Sequence, residues 1–119
     1  KIRLASIDAP ELAQAYGKAS RDFLKKLIDQ KTVVVDVQEK DKYKRSVGVV
    51  FLNNENINRS LVANGYAWHY LKYSRDSELS KIENDAKIKK KGLWRDEKPL
   101  PPWQYRAEKR AAQKIKMAA

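Results

Sequence analysis

The sequence predicts one small domain of α+β class, because strand-like and helix-like hydrophobic patterns alternate along its 119 residues. β-branched or alternating apolar runs predict strands over residues 1–7, 31–37 and 46–52. Apolar residues at helical spacing predict helices over residues 18–29, 57–63 and from 74 or 76 to about 91. A turn at residues 41–44 joins two of the strands into an antiparallel hairpin, and this mixed order indicates α+β.

Local signals justify the elements of the first half. The first strand alternates apolar residues around Arg3, and Pro10 ends it. The first helix has an apolar side formed by Ala19, Phe23, Leu24, Leu27 and Ile28. Gly48 lies inside the last hairpin strand and marks a bulge or a point of close packing. Residues 53–56 form a turn by composition.

The second half is more helical and more basic. Asn64-Gly65 ends the short second helix as a left-handed cap, and the aromatic-rich residues 66–73 are extended. Gly92 ends the third helix, after which Leu93-Trp94 docks back on the core. Residues 98–102 are stiff and extended, and residues 103–119 form a tail or a peripheral helix. The chain is therefore divided into a main domain, 1–98, and a basic C-terminal tail, 99–119.

Composition narrows the possible functions. The chain has no cysteine, which excludes disulfides and thiolate metal sites, and one histidine, His69, which excludes a multi-histidine zinc site. No apolar run is long enough to cross a bilayer. The net charge of +11 is concentrated in residues 86–119, which hold eleven Lys or Arg and three Asp or Glu. Nucleic acid is the leading partner for such a chain, an anionic membrane is the second, and a solvated basic tail is the alternative.

Two carboxylates follow the first predicted strand. Pro10 biases Ala9 toward an extended backbone, which would aim the Asp8 carboxylate and the Ala9 carbonyl outward as oxygen ligands for Ca²⁺. Glu11 could then stay unligated and take a proton from an attacking water. The alternatives are that Asp8 caps a turn and that Glu11 is an ordinary solvent-facing carboxylate.

Basic and aromatic side chains supply the rest of a phosphodiester site. Arg3, a cation in an apolar strand, and Arg45, at the start of another, could present guanidinium forks to phosphate oxygens. Lys42 and Tyr43 could hold a flanking phosphate. Tyr70 and Tyr73 could stack on bases. The alternatives are a salt bridge for Arg3, a solvated turn residue for Arg45 and plain packing for the tyrosines. His69 and the three tryptophans are predicted to be structural.

Five motifs in register resemble the thermonuclease, or staphylococcal nuclease, family over residues 1 to about 95. They are Arg3-x₄-Asp8-x-Pro10-Glu11, Tyr16-Gly17-Lys18, Asp41-Lys42-Tyr43-x-Arg45, Leu61-Val62-x-x-Gly65-x-Ala67 and Gly92-Leu93-Trp94. The tail Pro101-Pro102-Trp103-x-Tyr105-Arg106 is similar to the ending of bacterial, often plasmid-associated, members.

The resemblance implies an OB-fold-like barrel with three helices and a Ca²⁺-dependent hydrolase that cleaves DNA and RNA. Asp8 and the Ala9 carbonyl would bind calcium, and Glu11 would activate water. Arg3 and Arg45 would bind the scissile phosphate, and Lys42 and Tyr43 the neighbouring one. Tyr73 would lie near a base, and Tyr70 matches less closely.

Three departures from the family pattern carry expectations of their own. The chain begins at Lys1 in mid-strand, two residues before Arg3, so the first two barrel strands and a further calcium-binding aspartate of the family are missing from it. We therefore expect an N-terminally incomplete barrel with an open edge, in a piece of a longer precursor. Ala9 replaces the usual threonine. Lys44 replaces the usual turn glycine, which predicts a strained or reshaped turn.

The sequence thus predicts a calcium-dependent endonuclease. The alternatives are a non-catalytic nucleic-acid-binding domain on the same fold and a partner-binding domain whose charge only confers solubility. We expect DNA and RNA, and no membrane, as partners. We also expect a monomer for the intact protein, with association through the open edge possible for this chain. By resemblance, a secreted or periplasmic location is favoured.

Overall fold

The computed structural model describes residues 2–118, with side chains described through residue 115. Lys1 and Ala119, at the ends of the predicted first strand and of the tail, lie outside the described residues. The strands are β1 (Ile2–Leu4), β2 (Ile7–Asp8), β3 (Val34–Lys40), β4 (Ser46–Leu52), β5 (Glu55–Asn56) and β6 (Trp68–His69). The helices are α1 (Gly17–Ile28), α2 (Ile57–Ala63), α3 (Ser77–Ile88) and α4 (Pro102–Ala118), with a 3₁₀ turn at Gly92–Arg95. The predicted α+β class is confirmed.

The strands form two small sheets. In the larger sheet β4 is central, with β1 parallel on one side, β3 antiparallel on the other, and β5 paired to its end. The predicted hairpin is the β3–β4 pair. In the smaller sheet β2 pairs antiparallel with β6, which sets Asp8 opposite Trp68. Among the described strands, β1 and β3 each have a neighbour on one side only, and Val34 and Val37 of β3 are exposed. This agrees with the predicted open edge.

The predicted continuous strand over residues 1–7 is wrong, because the chain turns at Ala5-Ser6. Ser6 adopts a left-handed backbone conformation with φ 68°. The Ala5 N–H still donates to the Gly48 carbonyl at 2.8 Å, and the Ser6 carbonyl accepts from the Tyr70 N–H at 2.8 Å. The turn thus moves the chain from the larger sheet to the smaller one and separates Arg3 from Asp8 by a corner.

The core lies where α2 and α3 pack beside the sheets. Its buried centre consists of Ile7, Leu61, Val62, Ala67 and Leu79. A second cluster contains Ala86, Leu93 and Trp94, so the predicted docking of Leu93-Trp94 is confirmed. Two glycines are needed where the segment before Leu93-Trp94 packs against the end of α2. Gly65 and Gly92 both have positive φ, and a Cβ on either would collide with the backbone of the other segment.

Several boundaries differ from the predicted ones. β3 begins at Val34 and continues to Lys40, three residues beyond the β-branched run. α3 begins after Asp76, whose carboxylate accepts from the N–H groups of Glu78 and Leu79, and it ends at Ile88 rather than near residue 91. Of the two alternatives for residues 103–119, the peripheral helix is the one observed, as α4. The described chain therefore has four α-helices instead of three.

The domain boundary at residue 98 stays a prediction. None of the helices described is both long enough and apolar enough to serve as a transmembrane span.

Candidate active site

One cavity, of about 1210 Å³, brings the predicted site residues together. All nine of them line it: Arg3, Asp8, Ala9, Glu11, Lys42, Tyr43, Arg45, Tyr70 and Tyr73. Lys72, Arg106 and Arg110 add three more cations to its wall. With six basic side chains and two carboxylates, the cavity has a strongly positive lining that suits a polyanion.

Asp8 is the buried acid of this cavity. The β2–β6 pairing holds its backbone, and the residue is only 4% exposed. A buried carboxylate is costly unless cations or hydrogen bonds compensate it. Two guanidinium groups do so: Arg106 Nη2 lies 2.6 Å from Oδ2 and Nη1 lies 3.2 Å from Oδ1, while Arg3 Nη2 lies 3.7 Å from Oδ1. The carboxylate therefore faces cations and is not a turn cap.

Glu11 lies beside Asp8 but is far more accessible. Its side chain is 42% exposed, and Oε2 lies 3.4 Å from Arg106 Nη1. A tight turn holds its backbone: the Glu11 N–H donates to Gln14 Oε1 at 3.0 Å, and its carbonyl accepts from the Gln14 N–H at 2.8 Å. The carboxylate can thus meet both solvent and the cation that binds Asp8.

Arg3 reaches the cavity from β1. Its Nη1 donates to the Leu4 carbonyl at 3.1 Å, and its guanidinium lies 5.9 Å from the centre of the Tyr70 ring. The salt bridge to Asp8 expected as the alternative for Arg3 is present, within the cavity itself. The two interpretations of Arg3 are therefore compatible.

The turn at residues 41–45 places a second group of cations at the cavity. Asp41 Oδ1 accepts from the N–H groups of Tyr43 at 2.8 Å and Arg45 at 3.0 Å, and Oδ2 accepts from Arg45 Nε at 2.7 Å. Desolvation would raise the pKa of Asp41, but these hydrogen bonds outweigh it and hold the pKa below its usual range. Arg45 is therefore an ion-paired residue, not a freely solvated one.

The same turn carries the predicted strain. Lys44 has φ 64°, in the region that favours glycine. Tyr43 is 68% exposed, with Lys42 Nζ 5.3 Å and the Arg45 guanidinium 5.5 Å from its ring centre. The turn therefore presents two cations and an open aromatic face to the cavity.

The other two tyrosines that line the cavity, Tyr70 and Tyr73, differ from each other. Tyr70 stacks on Trp103, with ring centres 5.4 Å apart and planes inclined by 5°, so one of its faces is already covered. Tyr73 meets Tyr70 edge-on at 5.0 Å and is 70% exposed. Of these two tyrosines, Tyr73 is thus the one with free surface on which a base could stack.

Sequence reasoning missed Arg106. In the sequence, Arg106 is only part of the motif in the C-terminal tail and has no predicted role in the site. In the structure it forms the shortest ion pair with Asp8. The hydrogen bonding of its guanidinium to the Asp8 carboxylate is the main reason that the pKa of Arg106 is raised further above its ordinary value. One signal was available: Trp103, Arg106 and Arg110 recur at helical spacing after Pro102, which predicts a helix with one basic, aromatic face.

His69 lies in a separate, structural network, as predicted. It is 1% exposed, with Nδ1 2.9 Å from Ser80 Oγ and Nε2 2.7 Å from Ser74 Oγ. The backbone N–H of His69 donates to the buried carboxylate of Glu83 at 2.7 Å. The ring therefore ties β6 to α3.

The oxygen donors of Asp8 and Glu11 fit a hard divalent cation. One guanidinium lies within 3.4 Å of both carboxylates, so the pair already converges on a single positive group. Within the described part of the chain, no third Asp, Glu, His or Cys joins them into a cluster of three. Such a set suits an ion that keeps waters or takes further oxygens from a substrate phosphate.

Comparisons with known proteins identify relatives of this chain. A family model described as staphylococcal nuclease homologue matches residues 1–96. "Staphylococcal-like nuclease CAN1" of Arabidopsis thaliana is 40% identical over 110 residues, which cover 92% of this chain and 34% of that protein. An "uncharacterized endonuclease" of Escherichia coli O157:H7 is 43% identical over 92% of this chain and 72% of its own length.

A second "uncharacterized endonuclease", from Haemophilus influenzae, is 42% identical over 99% of this chain and 64% of its own length. The chain thus spans from about a third to under three quarters of the length of these relatives. Since the family model covers most of its residues, the chain belongs to the staphylococcal nuclease homologue family.

Proposed function

We propose that this protein is a calcium-dependent nuclease that hydrolyses phosphodiester bonds of DNA or RNA. The observation that carries the proposal is the buried Asp8 beside the accessible Glu11, in a cavity that otherwise has a cationic lining. The names of the relatives, nuclease and endonuclease, support the same reaction class. A pure binding surface for phosphate gains nothing from two carboxylates that face it.

Asp8 and the Ala9 carbonyl are the proposed ligands of the calcium ion. Both line the cavity, and Asp8 is held rigidly by its strand pairing. When bound there, the ion supplies a Lewis acid that polarises the phosphodiester and lowers the pKa of water.

Glu11 is the proposed general base. Its carboxylate is exposed to solvent and lies next to the Asp8 position, so it can accept a proton from a water that attacks phosphorus. The phosphorus–oxygen bond to the 5′ oxygen then breaks, and this oxygen leaves with the bonding electrons and takes a proton from solvent water. This hydrolysis leaves a 3′-phosphate on one product and a 5′-hydroxyl on the other.

Arg3 and Arg45 are the proposed charge stabilisers. Arg3 reaches the cavity from β1 and Arg45 from the turn before β4, and each guanidinium is held by a carboxylate and lies near an aromatic ring. Preorganised cations of this kind stabilise the negative charge that grows on the phosphoryl oxygens during attack. Lys42 and Tyr43 are proposed to hold the neighbouring phosphate. Tyr73, and less directly Tyr70, are proposed to contact bases.

A non-catalytic nucleic-acid-binding domain is the second candidate. One observation favours it: within the described residues only two carboxylates face the cavity, and both already have a guanidinium partner. Nicking of a supercoiled plasmid with Ca²⁺ and with EDTA separates the two functions. The proposed nuclease nicks only with Ca²⁺, whereas a binding domain retards the plasmid and leaves it closed.

Glu11→Gln tests the mechanism. We expect turnover to fall by about 10² or more while DNA affinity changes little, because the substitution removes the base and not a phosphate contact. Glu55→Gln is the matched control, since Glu55 is exposed on β5 and does not line the cavity. Equal cleavage rates for Glu11→Gln and wild type would show that Glu11 is not the base.

A further inference from the structure

α4 reaches the candidate active site from the far end of the chain. Pro102 at its start is buried, and Trp103 packs on Tyr70 and edge-on to Trp68 at 5.4 Å. One turn later, the Arg106 side chain lies in the cavity and donates hydrogen bonds to both carboxylate oxygens of Asp8. It also forms an ion pair with Glu11. Residues 107–115 are all exposed, so the helix beyond Arg106 buries little surface.

The position of Arg106 is the one that a divalent cation would need. A calcium ion binds carboxylate oxygens at about 2.3–2.6 Å. Arg106 Nη2 is already 2.6 Å from Asp8 Oδ2, and its Nη1 engages the other oxygen. A dication on the same carboxylate would face the guanidinium at close range, and like charges at that distance repel strongly. A calcium ion bound to Oδ2 would therefore take the place that Arg106 Nη2 occupies in this geometry.

We propose that Arg106 is an internal competitor of the divalent cation, so that α4 closes the active site until the cation displaces the guanidinium from Asp8. The inference rests on the proposed metal dependence of the nuclease. The released guanidinium stays tethered near the cavity by Trp103. The burial of Asp8 supports the arrangement, because the carboxylate needs a cation in both states.

Competition of this kind has a defined thermodynamic effect. The apparent affinity for the cation is the intrinsic affinity reduced by the fraction of molecules whose Asp8 is free of Arg106. Removal of the bidentate ion pair between Arg106 and Asp8 should therefore tighten cation binding by about tenfold or more, the effect expected of one charge-assisted pair.

Isothermal titration calorimetry with Ca²⁺ on the 119-residue chain tests the proposal. The proteins compared are wild type, Arg106→Gln, Arg110→Gln and Asp8→Asn. Arg110 is the matched control, because it lies one turn further on α4 and lines the same cavity. The hydrogen bonds and ion pairs of Asp8 include Arg106 and Arg3 but not Arg110. We expect Arg106→Gln to bind Ca²⁺ about tenfold tighter than wild type, and Arg110→Gln to remain within about twofold.

Each other result has a clear meaning. If Asp8→Asn abolishes binding but Arg106→Gln is no tighter than Arg110→Gln, the competition is refuted and the calcium site stands. If none of the four proteins binds Ca²⁺, both the calcium dependence and the competition are refuted.

A second measurement uses the wild type alone and does not depend on the folding of a variant. Release of Arg106 should loosen the part of α4 beyond Trp103, so trypsin should cut after Lys109 or Arg110 faster with saturating Ca²⁺ than with EDTA. Asp8→Asn controls for the effect of Ca²⁺ on trypsin itself. An equal cleavage rate of wild type in both conditions would overturn the proposal.

Discussion

The corner between Arg3 and Asp8 depends on one buried amide, and its removal should destabilise the site together with the fold. Asn58, 3% exposed on α2, accepts from the Val50 N–H at 3.1 Å. It also donates to the carbonyls of Ala5 at 3.1 Å and Gly48 at 3.2 Å. One side chain thus fastens the helix to β4 and to the turn that separates the two sheets.

The cost of Asn58→Ala follows from the groups that it leaves behind. The Gly48 carbonyl keeps the Ala5 N–H as a partner, so its loss is small. The Val50 N–H and the Ala5 carbonyl lose their bond to the amide, and an unsatisfied buried polar group costs about 1–3 kcal/mol. We therefore expect a loss of about 3 kcal/mol, a large part of the stability of a domain of this size.

Urea unfolding followed by circular dichroism measures this loss. With a slope of about 2 kcal/mol per molar, typical of small proteins, the midpoint should fall by about 1.5 M. Asn84→Ala is the matched control, because Asn84 is exposed on α3 and its truncation should leave the midpoint nearly unchanged. A loss below about 1 kcal/mol for Asn58→Ala would show that the corner does not depend on this amide.

The remaining predictions concern a cap and a turn. Asp76→Ala removes the N-cap of α3 and should cost about 1 kcal/mol at neutral pH, measured by urea unfolding. Desolvation raises the pKa of Asp76, but the hydrogen bond from the Leu79 N–H and the charge of Arg59 lower it below its ordinary 3.8. The stabilisation by the cap is therefore complete above pH 3.8, and it is lost as the pH falls through the lower pKa that Asp76 has in the folded protein. A cost that does not shrink in acid would contradict the assignment. Lys44→Gly should raise the urea midpoint, because it relieves up to about 1 kcal/mol of strain at φ 64°.

Much of the site could be predicted because its residues lie beside strong local signals. Asp8 and Glu11 flank Pro10, and Lys42 to Arg45 occupy a hairpin turn, so their placement at strand ends follows from short-range pattern. The corner at Ser6 could not be predicted in this way. No Gly or Pro marks it, and its left-handed conformation is fixed by hydrogen bonds to Gly48 and Tyr70, which are distant in sequence.

The contact between Arg106 and Asp8 spans 98 residues and has no local signature. Periodicity can show that Trp103, Arg106 and Arg110 share a helix face, but it cannot show which surface receives that face. The docking depends on the stack of Trp103 on Tyr70, and so on the fold of the whole domain. The residue roles assigned to the nine predicted positions stay predictions until the variants are measured.

The burial of Asp8 links these observations. A carboxylate at 4% exposure is costly to bury without cations beside it, so the fold must supply them before any substrate arrives. Arg3 alone, at 3.7 Å, leaves one oxygen without a close partner, and Arg106 supplies it. In the proposed enzyme a calcium ion would replace Arg106 as the cation beside Asp8. The phosphates of the nucleic acid would then pair with the displaced guanidinium. One cation beside Asp8 would thus replace another, so the buried carboxylate would have a compensating charge in both states.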